Sequence, residues 1–226
     1  MSDLWIFGYG SLMWKPGFEY AEAARARLIG YRRCFCIYSV NHRGQPSRPG
    51  LVLGLDRGGM CDGLAYRVAP ANARATAEYL RVREQVNGVY REVHVPLTIE
   101  DGRRREVTAQ AYIVERAHPS FTGPLTLAEQ AHIIRGAKGL SGANLDYLIN
   151  TLSHLEQLGI HEPELQRLLT LIGPLFAHGG SAGLTSPRVA ALLNVCRRLP
   201  CTAVPSRPGE RRRFIHRRQI AVWHSG

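Results

Sequence analysis

The chain has no apolar run approaching the ~18 residues that a membrane-spanning helix requires. No glycine-rich stretch ends in Gly-Lys-Ser/Thr, so a P-loop is excluded. Nine histidines are scattered along the chain without a His-Glu-x-x-His pair, and most are expected at the surface. Five cysteines, at 34, 36, 61, 196 and 201, form no paired CxxC frame. No metal site and no cofactor is expected. Cys34 and Cys36 share one face of a β-like run and read as buried, reduced thiols. The opening residues, Met1-Ser2-Asp3-Leu4-Trp5-Ile6-Phe7, lack the basic and long apolar segments of a secretory signal. Reduced thiols and the missing signal predict a cytoplasmic location. Lysine is scarce, with Lys15 and Lys138 alone against many arginines. That bias needs no selection for phosphate contact to explain it.

What is present suits a globular domain. The 226 residues are 45% apolar and 21% charged, enough to bury a core without disulfide or metal staples. The formal net charge of +11 is unevenly spread. Residues 1–178 carry a net of +3, whereas residues 179–226 carry nine arginines against Glu210. The chain therefore divides into a nearly balanced body, 1–178, and an Arg-rich extension, 179–226. The cluster Arg211-Arg212-Arg213-Phe214-Ile215-His216-Arg217-Arg218 has the charge to attract nucleic acid or anionic lipid. It lacks a zinc frame or RNP-like aromatics, so a solvated extension is the favoured reading. One helix is expected over 186–199 and little order beyond Pro200.

Residues 4–7 form a short apolar strand ending at the glycine-hinged loop Gly8-Tyr9-Gly10-Ser11-Leu12. Leu28 to Val40 reads as one or two strands, and 42–50 as a loop. Leu51 to Leu55 and Cys61 to Val68 are expected to form a hairpin about Asp56-Arg57-Gly58-Gly59. Alanine-rich Pro70 to Arg83 predicts a helix, broken at Asn87-Gly88. Val89 to Leu97 and Glu106 to Val114 form a second hairpin about Asp101-Gly102. From Thr126 onward the apolar residues recur at helical spacing. Strands followed by helices predict an α+β fold, a bent mixed sheet or small β-barrel with flanking helices.

Two segments carry the functional signal. Gly8-Tyr9-Gly10-Ser11-Leu12-Met13 is not a dinucleotide fingerprint, because Met13 replaces the third glycine, nor a Gly-x-Ser-x-Gly nucleophile elbow. Taken alone it is open between a structural turn and a concavity of backbone N–H groups suited to a carboxylate. Glu84 lies where a helix end meets a strand start, within Arg83-Glu84-x-x-x-Gly88-x-Tyr90. Taken alone it is open between a surface ion pair and a catalytic acid.

Together these segments resemble the ChaC family of glutathione-specific γ-glutamylcyclotransferases. The resemblance extends through Trp5-x-Phe7 and Trp14-Lys15-Pro16, through His42-Arg43-Gly44, Pro49-Gly50-Leu51-Val52-Leu53 and Leu55-Asp56-Arg57-Gly58-Gly59, and through Gly139-x-Ser141-Gly142-x-Asn144-x-x-Tyr147-Leu148. It covers residues 4–175 and leaves the extension without a counterpart. It implies a γ-glutamylcyclotransferase-like catalytic domain over 1–178, with glutathione as its small-molecule substrate.

The family closes the substrate's own α-amine onto its γ-carbonyl, releasing 5-oxoproline and cysteinylglycine without water. By match to the family motif, Glu84 is the catalytic acid–base. Gly8, Tyr9, Gly10, Ser11, Leu12 and Met13 are the substrate-binding loop. Tyr112 and Tyr147 stand as second-tier candidates, and Arg43, with Arg48, as candidates for glutathione's glycine carboxylate. Two other readings are carried: a related cyclotransferase for another γ-glutamyl amine or amino acid, and a basic nucleic-acid-binding protein acting through the extension.

Overall fold

Five strands close into a barrel in the order β1-β3-β2-β4-β5, with β5 returning to β1. They are β1 (Leu4–Gly8), β2 (Glu22–Ser39), β3 (Gly50–Val68), β4 (Tyr90–Ile99) and β5 (Arg105–Val114). All pairs are antiparallel except β1 with β5, where Trp5 and Ile6 lie parallel to Ala109 and Gln110. The structure is a computed structural model that describes residues 3–85 and 87–176. The extension over 179–226, with its expected helix at 186–199, lies outside the described residues.

Alternation along the strands creates two cores. Trp5, Phe7, Ala24, Ala26, Leu28, Leu55, Ala65, Val95, Leu97, Ile99, Ala109 and Ala111 gather in one cluster supplied by every strand, which is the barrel interior. Alanine recurs there because a five-stranded barrel encloses little space, which it shares with aromatic Trp5 and Phe7. Ile6, Leu51, Leu53, Tyr66, Val68 and Tyr112 face the other way and meet the helices. Each large apolar side chain fully buried in these clusters contributes ~1.5–3 kcal/mol.

The expected hairpin at 51–68 is corrected. Gly50–Val68 is one strand, paired with β2 from Glu22↔Arg67 to Ser39↔Gly50. Gly58 and Gly59 do take positive φ, 102° and 72°, but so does Gly30 opposite, at 87°. The register slips there, between Ile29↔Met60 and Tyr31↔Arg57. The glycines make a bulge that bends a long two-stranded ribbon and does not reverse the chain. The second expected hairpin holds, with Tyr90↔Val114 to Ile99↔Arg105 in register about residues 100–104.

Among the described residues four helices flank the barrel: α1 (Pro70–Glu84), α2 (Leu127–Gly136), α3 (Asn144–Gln157) and α4 (Pro163–Phe176). Pro70 starts α1, where its missing N–H costs nothing. A capping box between Thr126 and Glu129 starts α2. Of α1 only Thr76 and Leu80 are buried. Leu80 therefore anchors the last turn, and Arg83 and Glu84, three and four residues on, share its face. Asn144 opens α3 fully buried and exchanges hydrogen bonds with the Leu51 backbone, its Oδ1 accepting from N–H at 2.6 Å and its Nδ2 donating to the carbonyl at 2.7 Å. This pins α3 to β3 and brings Tyr147, one turn later, beside Leu53.

Candidate active site

One cleft opens where β1 ends and α1 stops. Tyr9, Gly10, Ser11, Leu12, Leu53, Glu84, Tyr90, Tyr112 and Tyr147 line it. The chain leaves β1 at Gly8 and tightens at once into a 3-10 turn, Ser11–Met13, closed by Met13 N–H donating to the Gly10 carbonyl at 2.9 Å. The leading N–H groups of such a turn have no carbonyl partner within it. Tyr66, buried on β3, donates its hydroxyl to the Leu12 and Met13 carbonyls at 3.0 Å each and fixes the turn from below.

A second clamp lies behind the loop. The Arg33 side chain is fully buried. Its Nε donates to the Tyr9 carbonyl at 2.5 Å and its Nη2 to the Asp62 carbonyl at 2.6 Å. Its charge is met by Glu162, the residue before α4. Burial pushes the Glu162 carboxyl up and the Arg33 guanidinium pulls it back.

Glu84 reaches the front of the same loop. Its side chain keeps 17% exposure, and burial raises its pKa above the usual carboxylate range. Arg83 opposes that rise by charge and by hydrogen bond, with Nε 3.1 Å from Glu84 Oε1. The Arg83 Nη2 donates to Ser11 Oγ at 3.0 Å, and Nη1 donates to the Lys15 and Pro16 carbonyls at 2.7 and 3.1 Å.

Four phenols complete the wall. Burial raises Tyr9 and Tyr90 well above the usual phenol range and Tyr112 and Tyr147 to about 12, so all four are neutral at physiological pH. Tyr90 donates to the Leu53 carbonyl at 2.8 Å. Buried Gln110 donates to the Tyr112 hydroxyl oxygen at 2.7 Å, which leaves that phenol's own proton for another acceptor.

Among the residues expected at the site, Tyr9, Gly10, Ser11, Leu12, Glu84, Tyr112 and Tyr147 come together in the cleft. Gly8 and Met13 sit just off its wall: Gly8 is packed between Leu12 and Tyr66, and the Met13 sulfur lies against Arg33. Arg43 stands behind Tyr147, its guanidinium 5.2 Å from the ring centroid and its Nη1 donating to the Ser141 and Ala143 carbonyls. Arg48 packs on Gly136, away from the cleft. Leu53 and Tyr90 were not singled out from sequence. The signal for Tyr90 was its place in the Glu84 motif, on the β4 face that alternates away from Val93 and Val95 toward Tyr112.

Residues 4–174 match the family model described as ChaC-like protein. The glutathione-specific gamma-glutamylcyclotransferase of Escherichia coli is 34% identical over 187 residues, spanning 83% of this chain and 80% of that protein. The glutathione-specific gamma-glutamylcyclotransferase 1 of Mus musculus is 35% identical, spanning 76% of this chain and 79% of that protein. The crystal structure of a yeast gamma-glutamyl cyclotransferase specific to glutathione superposes with a TM-score of 0.68 at 26% identity, covering 77% of this chain and 99% of that one. The match takes in the first strand, the Glu84 segment and α4 alike, and the chain belongs to the ChaC-like family.

Proposed function

We propose that the chain cleaves glutathione by intramolecular aminolysis, with Glu84 moving the proton. The observation that carries the reading is a lone half-buried carboxylate, with a raised pKa, in one cleft with the Tyr9–Leu12 turn. The turn's N–H groups and Ser11 Oγ are the donors we assign to the γ-glutamyl end, holding the α-carboxylate and polarising the γ-carbonyl. Bound there, the substrate folds back so that its α-nitrogen meets its own γ-carbon. Such tethering removes as much as ~7–11 kcal/mol of the barrier in well-oriented cases.

An α-amine with a reference pKa of ~8 arrives mostly as ammonium at neutral pH. Glu84 as carboxylate takes one proton from the ammonium, which frees the lone pair that forms the ring C–N bond, and as acid gives that proton to the cysteine nitrogen. It then takes the second proton from the ring nitrogen as the old amide bond breaks and passes it to the departing amine, which leaves as an ammonium. The products are 5-oxoproline and cysteinylglycine, and no water is consumed. A carboxyl raised toward the working pH suits both halves of this exchange. Tyr112, whose proton is free for a new acceptor, and Tyr147 shape the floor, and we assign Arg43 to holding the Tyr147 ring. The catalytic unit is assigned to residues 1–178 and the Arg-rich extension to 179–226. Cys34, Cys36 and Cys61 are free thiols, which suits a cytosolic setting.

The test uses purified full-length protein, glutathione and water enriched in oxygen-18. The expected outcome, read by mass spectrometry, is 5-oxoproline and cysteinylglycine in equal amounts, neither carrying the heavy isotope. Labelled glutamate in place of 5-oxoproline would overturn the reaction class. A panel of other γ-glutamyl amines and amino acids, turned over more slowly than glutathione, sets the substrate range.

A further inference from the structure

The side chain best placed to join the two halves of the site is Arg83, to which neither the motif reading nor the family match gives a role. Its guanidinium spans five partners on two segments: the Glu84 carboxylate and Tyr79 hydroxyl on α1, and the Ser11 hydroxyl and the Lys15 and Pro16 carbonyls on the opening loop. Such a fork-shaped cation bridges partners that a compact ammonium cannot reach together. Leu80, one turn earlier, fixes the helix face from which it extends.

We propose that Arg83 is a positioning residue for the cyclisation, tying the catalytic carboxylate of α1 to the substrate-binding turn after β1 and biasing that carboxylate toward its ionised form. The proposal rests on the assignment of Glu84 as the acid–base. It acts through two separable properties, charge and shape. The groups that face Glu84 from other elements are Tyr9 after β1, Tyr90 on β4, Tyr112 on β5 and Tyr147 on α3, all neutral phenols at neutral pH. Glu92 on β4 stands beyond Tyr112, paired with Arg81 at 3.2 Å. The cation directly on Glu84 is Arg83, which acts against the burial that raises the carboxyl.

The sign follows. Loss of the cation lets burial raise Glu84 further, so a higher pH is needed to ionise the base. The acid limb of kcat/KM, which reports the free enzyme's base, moves upward. Arg83→Gln is expected to shift that limb up by about 1 pH unit, the scale for one opposite charge at this distance, and to raise KM for glutathione as the loop loses its tether. Arg83→Lys keeps the charge and loses the fork. It should return the limb to its wild-type position and leave KM raised several-fold.

Full-length wild type, Arg83→Gln and Arg83→Lys are assayed with glutathione across pH 4–8, with circular dichroism as the check on folding. An unmoved acid limb in folded Arg83→Gln overturns the proposal, as does a limb in Arg83→Lys that follows Arg83→Gln. Should Arg83→Gln not fold, Arg83→Lys decides alone: a raised KM with an unmoved limb supports the proposal, and a wild-type KM or a moved limb overturns it. Glu84→Gln separates the two assignments, because its retention of activity refutes the acid–base role whatever Arg83 does.

Discussion

Arg33 and Arg83 grip one loop from opposite sides. Arg33 is fully buried behind it, bound to the Tyr9 and Asp62 carbonyls and neutralised by Glu162. Arg83 is partly exposed in front, bound to Ser11 and neutralised by Glu84. Both pair with a glutamate whose pKa burial raises. Their carboxylates differ in access. Glu84 lines the cleft, whereas Glu162 does not. The back pair is committed to the fold and the front pair is open to the cleft. The same residue types and the same physics serve architecture on one side and, in the proposed function, chemistry on the other, and position relative to the cleft decides which.

The largest expected effect on folding comes from breaking the back pair. Arg33→Met keeps the stem's volume but strands the Glu162 carboxylate and two carbonyls without their donor. Removing one partner of a buried pair typically costs ~3–5 kcal/mol, so urea unfolding should show a loss on that scale. Arg33→Met combined with Glu162→Leu should recover part of it, since no buried charge then remains. A single variant as stable as wild type would erase the distinction between back and front.

The smallest expected effect is a gain in stability at the front. Burial raises Glu84 in the folded state, so the fold favours its protonated form. Wild-type stability from this group is therefore lost as pH rises from the ordinary carboxylate pKa through the raised one. Glu84→Gln, neutral at every pH, should melt slightly above wild type at pH 7 and no higher than wild type near pH 3. A variant destabilised at pH 7 would mean that the Arg83 pair outweighs desolvation and that Glu84 is a structural residue like Glu162.

Local signals carried much of this molecule. The Asp101-Gly102 hairpin, the alanine-rich α1 ending before Asn87-Gly88 and the helical spacing after Thr126 each express short-range chemistry, and each stands where expected. What escaped was non-local. Gly58 and Gly59 look alike in a turn and in a bulge, and pairing with β2 across the ribbon settles which they make. Barrel closure depends on Trp5 and Ile6 meeting Ala109 and Gln110, over a hundred residues away. At the site, Glu84 and the Tyr9–Leu12 turn were legible because a family motif marks both. The Arg33–Glu162 clamp was not, because one strand arginine in a chain rich in arginine carries no mark of burial. Leu53 entered the cleft through the same ribbon register that the hairpin expected over 51–68 left out.

The central claim is that one carboxylate, Glu84, shuttles the proton from the attacking amine to the leaving nitrogen. Its most direct test is the rate of 5-oxoproline formation from glutathione by Glu84→Gln, in protein shown to be folded by its melting curve. The amide keeps the shape and loses the base, so the rate should fall at least ~100-fold. Turnover near that of the wild type would contradict the account.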